Sequence, residues 1–134
     1  MYRHILIPTD GSKTADHGVK AGLSLATHLG AKVSVIVVEA SFDMFDVPDD
    51  KVREAQQIKK HSRTVLDRAE NMAKKAHVPC ECVQLEQMEP HQAIIETAMK
   101  QGCDLIVMAS HGRSGLSVEL LGSVTARIPV LVCR

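Results

Sequence analysis

The hydrophobic period of this chain changes repeatedly, from short runs with hardly a polar residue to stretches where apolar residues return every three or four positions. That alternation limits the possible folds more than any other feature. Runs such as Ile5-Leu6-Ile7, Val33 to Val38 and Leu105-Ile106-Val107-Met108 have no polar face to offer solvent. As strands they need cover on both sides, which is the condition of a parallel sheet between helices. The remaining periodic stretches supply that cover. Residues 3–8 read as a first strand, Ser12 to about Leu29 as a helix, and Lys32 to Val38 as a second strand. A long helix from about Asp49 to Ala76 comes next, then a strand from Cys80 to Leu85, a helix over 90–101, a strand from Asp104 to Ala109 and a last strand from Pro129 to Cys133. Strands and helices in strict alternation predict an α/β fold, a doubly wound parallel sheet of five strands with helices on both faces, in one domain spanning residues 1–134. Composition agrees. Apolar residues make up 45% of the chain and aromatics 2%, so the core is built from Val, Ile, Leu, Ala and Met.

Helix faces follow from spacing. Ala15, Val19, Gly22, Ala26 and Leu29 form the buried stripe of the first helix, and Gly30 is its stop. The long helix is expected to bury Ile58, Val65, Ala69, Met72 and Ala76. Lys59, Lys60, Arg63, Arg68, Lys74 and Lys75 then lie in solvent, interleaved with Glu54, Asp67 and Glu70. Pro90 suits the first turn of the third helix, whose face is Ile94, Ile95 and Ala98, and Gly102 ends it.

Several function classes are excluded or weakened. Lys plus Arg balances Asp plus Glu at 16 each, so no global charge draws the chain to nucleic acid or an anionic membrane. Few aromatics argue against stacking platforms for single strands. No apolar run approaches the roughly 18 residues of a membrane span. The chain enters a strand at once, so no signal peptide is expected, and the default is a cytoplasmic protein. The seven histidines are scattered without metal spacing. Cys80-Glu81-Cys82 is the one close cysteine pair. Its side chains share a strand face, open to metal or redox chemistry or to plain packing, and it lacks the second pair a zinc site needs.

Two strand exits carry the chemistry. The fourth strand runs into Ala109-Ser110-His111-Gly112, followed after nine residues by Gly122-Ser123-Val124-Thr125. The first runs into Pro8-Thr9-Asp10-Gly11-Ser12. Glycines at a strand exit allow close backbone approach, and amides at a helix start point at phosphate oxygens. Gly112, Ser114, Gly115, Gly122 and Ser123 therefore suit a phosphorylated small molecule, held in the crevice beyond the carboxyl ends of the strands. Asp10 has two readings, a ligand of ribose hydroxyls or phosphate-bound metal, or a residue that, like Ser12, merely caps the first helix. Neither a P-loop nor the Gly-x-Gly-x-x-Gly fingerprint is present.

With these residues the whole chain resembles a universal stress protein of the UspA superfamily, in its nucleotide-binding branch. That branch carries Gly-x-x-Gly-x9-Gly-[Ser/Thr] after the fourth strand, matched here by Ala109-x-x-Gly112-x9-Gly122-Ser123, with Pro8-Thr9-Asp10-Gly11-Ser12 at the start and Pro129-Val130-Leu131-Val132-Cys133-Arg134 at the end. The resemblance implies a Rossmann-like, adenine nucleotide alpha hydrolase-like sheet in strand order 3-2-1-4-5. It implies that Pro8, Thr9 and Asp10 lie beside adenosine, that Val38 contacts adenine, and that Gly112, Gly122, Ser123 and Val124 hold the triphosphate. Met108, Ala109, His111 and Arg113 flank them. ATP, or ADP or AMP, is the implied ligand, with Mg reached from Asp10 through phosphate. The implied partner is a second copy joined through Pro129 to Cys133. The leading function is a nucleotide-sensing stress-response dimer with little or no ATP turnover. The alternatives are a slow Mg-dependent ATPase, with Arg113 or Ser123 stabilising charge, and a nucleotide-free dimeric interaction module.

Two departures from the pattern stand out. Ala109 replaces the motif's first glycine, placing a methyl where the ligand approaches. Only Ala126 and Arg127 separate Thr125 from Ile128-Pro129, which is short for a crossover helix and predicts residues missing between Thr125 and Ile128.

Overall fold

A computed structural model describes residues 1–40, 48–87, 89–109 and 128–133. Its elements are β1 (His4–Pro8), α1 (Lys13–Leu29), β2 (Lys32–Ala40), α2 (Asp49–Lys75), β3 (Cys80–Gln87), α3 (Pro90–Gln101), β4 (Leu105–Ala109) and β5 (Val130–Cys133). All strand pairs are parallel and the order is β3-β2-β1-β4-β5. The expected sheet and strand order are therefore observed.

The two faces of the sheet are covered by different helices, and direction of travel explains which. The chain moves outward from β1 through β2 to β3, and α1 and α2 both pack on one face. It then jumps back past β1 to β4, and α3 lies on the other. Crossovers of one hand change face when the direction of travel reverses. Ile5, Ile7, Val33, Val35, Leu105 and Val107 meet Val19, Leu23 and Ala26 of α1 and Val65, Leu66, Ala69 and Ala73 of α2. Leu6, Ile36, Ile106 and Met108 meet Ile94 and Ala98 of α3, with Ile128 closing the same cluster. Alternation along each strand assigns the residues to these two layers.

Element ends agree with local chemistry. Ser12 caps α1, its Oγ accepting from Ala15 N at 3.1 Å. Gly30 and Gly102 end α1 and α3, and Pro90 sits in the first turn of α3. Two expectations need correction. On α2, Val65 and Ala69 are buried and Met72 and Ala76 pack against the same cluster, as expected, with Leu66 and Ala73 buried beside them, but Ile58 is 44% exposed. Ile58 lies fifteen residues before Ala73, and the buried stripe begins only at Ser62, so spacing alone extends it too far. The second and third strands run two residues past Val38 and Leu85, because Glu39 pairs with Glu86 and Ala40 with Gln87 in a continuous ladder. Polar residues hid that continuation.

The basic residues of α2 are exposed, as expected, and several are paired with its own acids, including Arg63 with Asp67 at 2.8 Å and Lys74 with Glu70 at 3.7 Å. Among the described residues no helix is long and apolar enough to cross a membrane. The spacing between Thr125 and Ile128 lies outside the described residues. Ile106 nevertheless pairs with Val130 and Ala109 with Cys133, so β5 returns parallel to β4 after the intervening residues 110–129.

Candidate functional site

The order β3-β2-β1-β4-β5 puts the reversal of chain direction between β1 and β4. Their carboxyl ends part there. β1 pairs with β2 along its length, up to Pro8 with Ile36, whereas its register with β4 covers only Ile5 with Leu105 and Leu6 with Ile106. Pro8 supplies a reason. Thr9 N donates across to Ile36 O at 2.9 Å, and His4 O accepts from Asp104 N at 2.9 Å. Successive residues of a strand point their backbone groups to opposite neighbours, so the nitrogen of Pro8 faces β4. Proline has no N–H to give, and the seam opens on that side.

The loop after Pro8 is held by its own side chains. Gly11 N donates to Thr9 Oγ1 at 3.2 Å, and Ser12 N donates to Asp10 Oδ1 at 2.9 Å. Ser12 is therefore the cap, and Asp10 forms a turn with the amide two residues on. Asp10 is half-buried at the mouth of the seam. Gly11 has φ +82, and a Cβ there would strike Val65 of α2, so both backbone and space call for glycine.

From α2, Arg68 Nη2 donates to Asp16 Oδ1 at 2.8 Å and to Gly11 O at 3.4 Å. It ties the long helix to the loop of β1. The buried Thr9 lies on this side, among Asp16, Val19, Val65 and Arg68.

Across the seam, α1 comes down on the end of β4. A Cβ on Gly18 would stand 2.9 Å from Ala109 N and 3.2 Å from the Met108 carbonyl carbon. Ala109 itself is buried as the last residue of β4. By alternation its methyl shares the face of Leu105 and Val107, toward α1. The expected intrusion of that methyl on the ligand side is thus directed into the α1 layer. Met108, on the opposite face, is buried in the α3 layer with Leu6 and Ile36, and Val38 packs at the edge of that layer.

The structure therefore brings Pro8, Thr9, Asp10, Met108 and Ala109 to two neighbouring strand ends, with Val38 one strand further out and two residues before the end of β2. Ser110, His111, Gly112, Arg113, Ser114, Gly115, Gly122, Ser123 and Val124 fall outside the described residues. Three contributors were missed in sequence. Gly18 reads as one more small residue on a helix, and only its opposition to a strand end gives it meaning. Arg68 looks like any solvated helix cation. Glu39, 7% exposed near the carboxyl end of β2, accepts from Gln84 Nε2 at 2.7 Å. The signal for it was an acid directly after the apolar run Val35 to Val38. Among the described residues no group of three His, Cys, Asp or Glu is placed to hold a metal. A magnesium ion here would depend on phosphate oxygens and water, which is its ordinary mode, with Asp10 a carboxylate at the mouth.

Comparison with known proteins fits this architecture. The universal stress protein family matches residues 1–134. Universal stress protein MJ0531 of Methanocaldococcus jannaschii is 32% identical, over 100% of this chain and 83% of that protein. A universal stress protein family structure from Burkholderia pseudomallei superposes with a TM-score of 0.81 at 28% identity, covering 98% of this chain and 96% of that one. Family members have also been solved with nucleotides. A complex with cAMP has a TM-score of 0.72 at 24% identity, covering 99% and 97% of the two chains. An Archaeoglobus fulgidus complex with dAMP has a TM-score of 0.70 at 20% identity, covering 99% and 98%. An Arabidopsis thaliana protein with AMP bound has a TM-score of 0.67 at 14% identity, covering 97% and 90%.

Proposed function

The chain belongs to the universal stress protein family, and from that premise we propose that it binds ATP in the seam between β1 and β4 and acts as a nucleotide-sensing stress-response dimer with little or no turnover. The observation that carries the reading is the parting of β1 and β4 beyond Leu6 and Ile106 at the reversal of strand order, the place where open α/β sheets take ligands. The solved relatives with cAMP, dAMP and AMP support an adenine nucleotide as the ligand class. The Gly112-x9-Gly122-Ser123 segment, whose small residues suit phosphate oxygens, supports ATP as the nucleotide.

In this reading Pro8, Thr9 and Asp10 border the adenosine and Val38 the adenine. Gly112, Gly122, Ser123 and Val124 hold phosphate oxygens, flanked by His111 and Arg113. Asp10 Oδ1 is occupied by the Ser12 amide. The Asp10 carboxylate borders the ribose or a phosphate-bound magnesium ion, which would neutralise phosphate charge when bound. The protein works in the cytoplasm as a pair joined through β5, an edge strand whose Leu131 is 46% exposed.

Calorimetry on ligand-stripped protein tests the site. Gly112→Val should abolish ATP binding with an unchanged circular dichroism spectrum; equal affinities in wild type and variant would overturn the phosphate cradle. Sedimentation tests the pairing. Val130 and Val132 partly pack into the α3 layer, so Leu131→Asp is the cleaner substitution and should yield monomers. A wild-type chain already monomeric at micromolar concentration would refute the dimer.

A further inference from the structure

We propose that Cys80 and Cys82 form a two-thiolate binding site for a soft monovalent cation, Cu(I), at the β3 edge of the sheet, far along the sheet from the nucleotide seam. The two residues pair with Val33 and Val35, so they share one face of β3, and both pack against the layer containing α2. β3 ends the sheet on that side, and both side chains are half-buried, leaving an approach from the edge. Cys80 Sγ donates to Glu81 O at 3.9 Å. Cys82 Sγ also donates to Leu66 O of α2 at 3.6 Å, which fixes its direction.

The spacing favours a bridging ion over a disulfide. Residues two apart on a strand stand about 6.6 Å apart at about 3.3 Å per residue. That is near the upper limit of roughly 6.8 Å that a disulfide tolerates, so direct cross-linking would distort the strand. Metal–sulfur bonds of about 2.3 Å keep the sulfurs roughly 4 Å or more apart, a separation that two cysteines on one strand face reach by side-chain rotation.

The ligand number selects the ion. Zinc asks for four ligands, and among the described residues no group of three is present. Thiolates select soft ions, and Cu(I), a filled-shell monovalent cation, is satisfied by two of them.

Charge balance explains why the site is silent without metal. Burial, with Cys82 beside it, pushes the Cys80 thiol up to about 12, and burial with Glu70 nearby also raises Cys82. Both remain protonated near neutral pH and react slowly there. On binding, each thiol gives its proton to the buffer, two sulfur–copper bonds form, and copper stays in the +1 state. The product carries one negative charge where two free thiolates would carry two. Arg63 favours the ionised sulfur of Cys82, while Asp67 and Glu70 of α2 oppose it and Glu81 opposes that of Cys80. Two protons leave per ion, so affinity falls as pH is lowered.

The test is an anaerobic titration of the full chain with Cu(I) buffered by the chelator bicinchoninate. One Cu(I) should bind per chain. Cys80→Ser and Cys82→Ser should each weaken binding by tenfold or more, while Cys103→Ser, buried on the opposite face, should leave it unchanged. A smaller loss in both edge variants overturns the site. A second measurement uses the wild type alone and does not depend on the variants folding. With alkylation run at alkaline pH until Cys80 and Cys82 of the metal-free chain react, Cu(I) should protect both, read by mass spectrometry, and leave Cys133 reactive. Protection falling on Cys133 instead, or no protection at all, refutes the proposal.

Discussion

Where β1 and β4 begin, Asp104 binds their backbones together; where they end, Pro8 leaves them apart. At the amino end the Asp104 carboxylate accepts from Arg3 N at 2.9 Å and from His4 N at 3.1 Å, and Asp104 N donates to His4 O at 2.9 Å. Beside it His4 Nε2 lies 2.7 Å from Ser34 Oγ, and Ser34 Oγ donates to Gln101 Oε1 at 2.6 Å. Since the serine proton goes to Gln101, His4 is the donor in the first of these bonds. At the carboxyl end the same two strands lose their ladder, and the side chains there are turned to the loop of Thr9, Asp10 and Ser12. One pair of strands is thus sealed at one end and open at the other. A sheet can hold a cleft at its switch point only if the rest of the seam is secured elsewhere.

The comparison can be broken from the open end first. Gly18→Val would drive a branched side chain into the backbone of Met108 and Ala109. The expected cost is about 3 kcal/mol, the upper part of the usual range for overpacking. Urea unfolding measures it. Calorimetry should show ATP affinity falling with it, because α1 is pushed away from the exit of β4. Unchanged stability would mean that α1 does not rest on that exit.

At the sealed end, Asp104→Ala removes the acceptor of two backbone amides. The expected loss is about 2 kcal/mol, with ATP affinity per folded molecule unchanged. A loss of binding without a loss of stability would contradict the separation of the two ends.

The smallest effect is a pH dependence. Burial, then Lys32, lowers the His4 imidazole from 6.5, against the opposing pull of the Gln101 backbone, Asp104 and Glu81. Folded His4 therefore takes up a proton less readily than unfolded His4. Its contribution to stability is full above pH 6.5 and is lost as pH falls through the lower folded value. Asp104 acts further into acid. Burial works to raise its carboxyl, but the amides of Arg3, His4 and its own backbone outweigh this and leave it below 3.8. Its contribution is full above 3.8 and is lost as pH falls through its own lower value. Denaturant midpoints measured downward from pH 7 should show the His4 step first, and His4→Gln should remove that step while leaving the Asp104 one.

The layered architecture was legible because it rests on short-range signals. An apolar run such as Leu105 to Met108 has no solvent face, and the three-and-four spacing of Ala15, Val19, Gly22 and Ala26 has one, whatever lies around them. Ser12, Gly30, Pro90 and Gly102 act within a few residues of themselves, so the element ends could be read with the same confidence. The motif at Gly112 and Gly122 was legible as a pattern of residue types. The exposure of Ile58 was not, because how far the buried stripe of a long helix extends depends on strands that follow it in the chain. The roles of Pro8, Gly18 and Arg68 depended on contacts with residues about 50 to 100 positions away: the direction of an unpaired nitrogen, the approach of a helix to a strand end, and the reach of a guanidinium to a distant loop. Residue chemistry travels only a few ångströms, so it settles elements and their ends. Which of those elements meet, and therefore which seam opens, is decided by packing between segments distant in the chain.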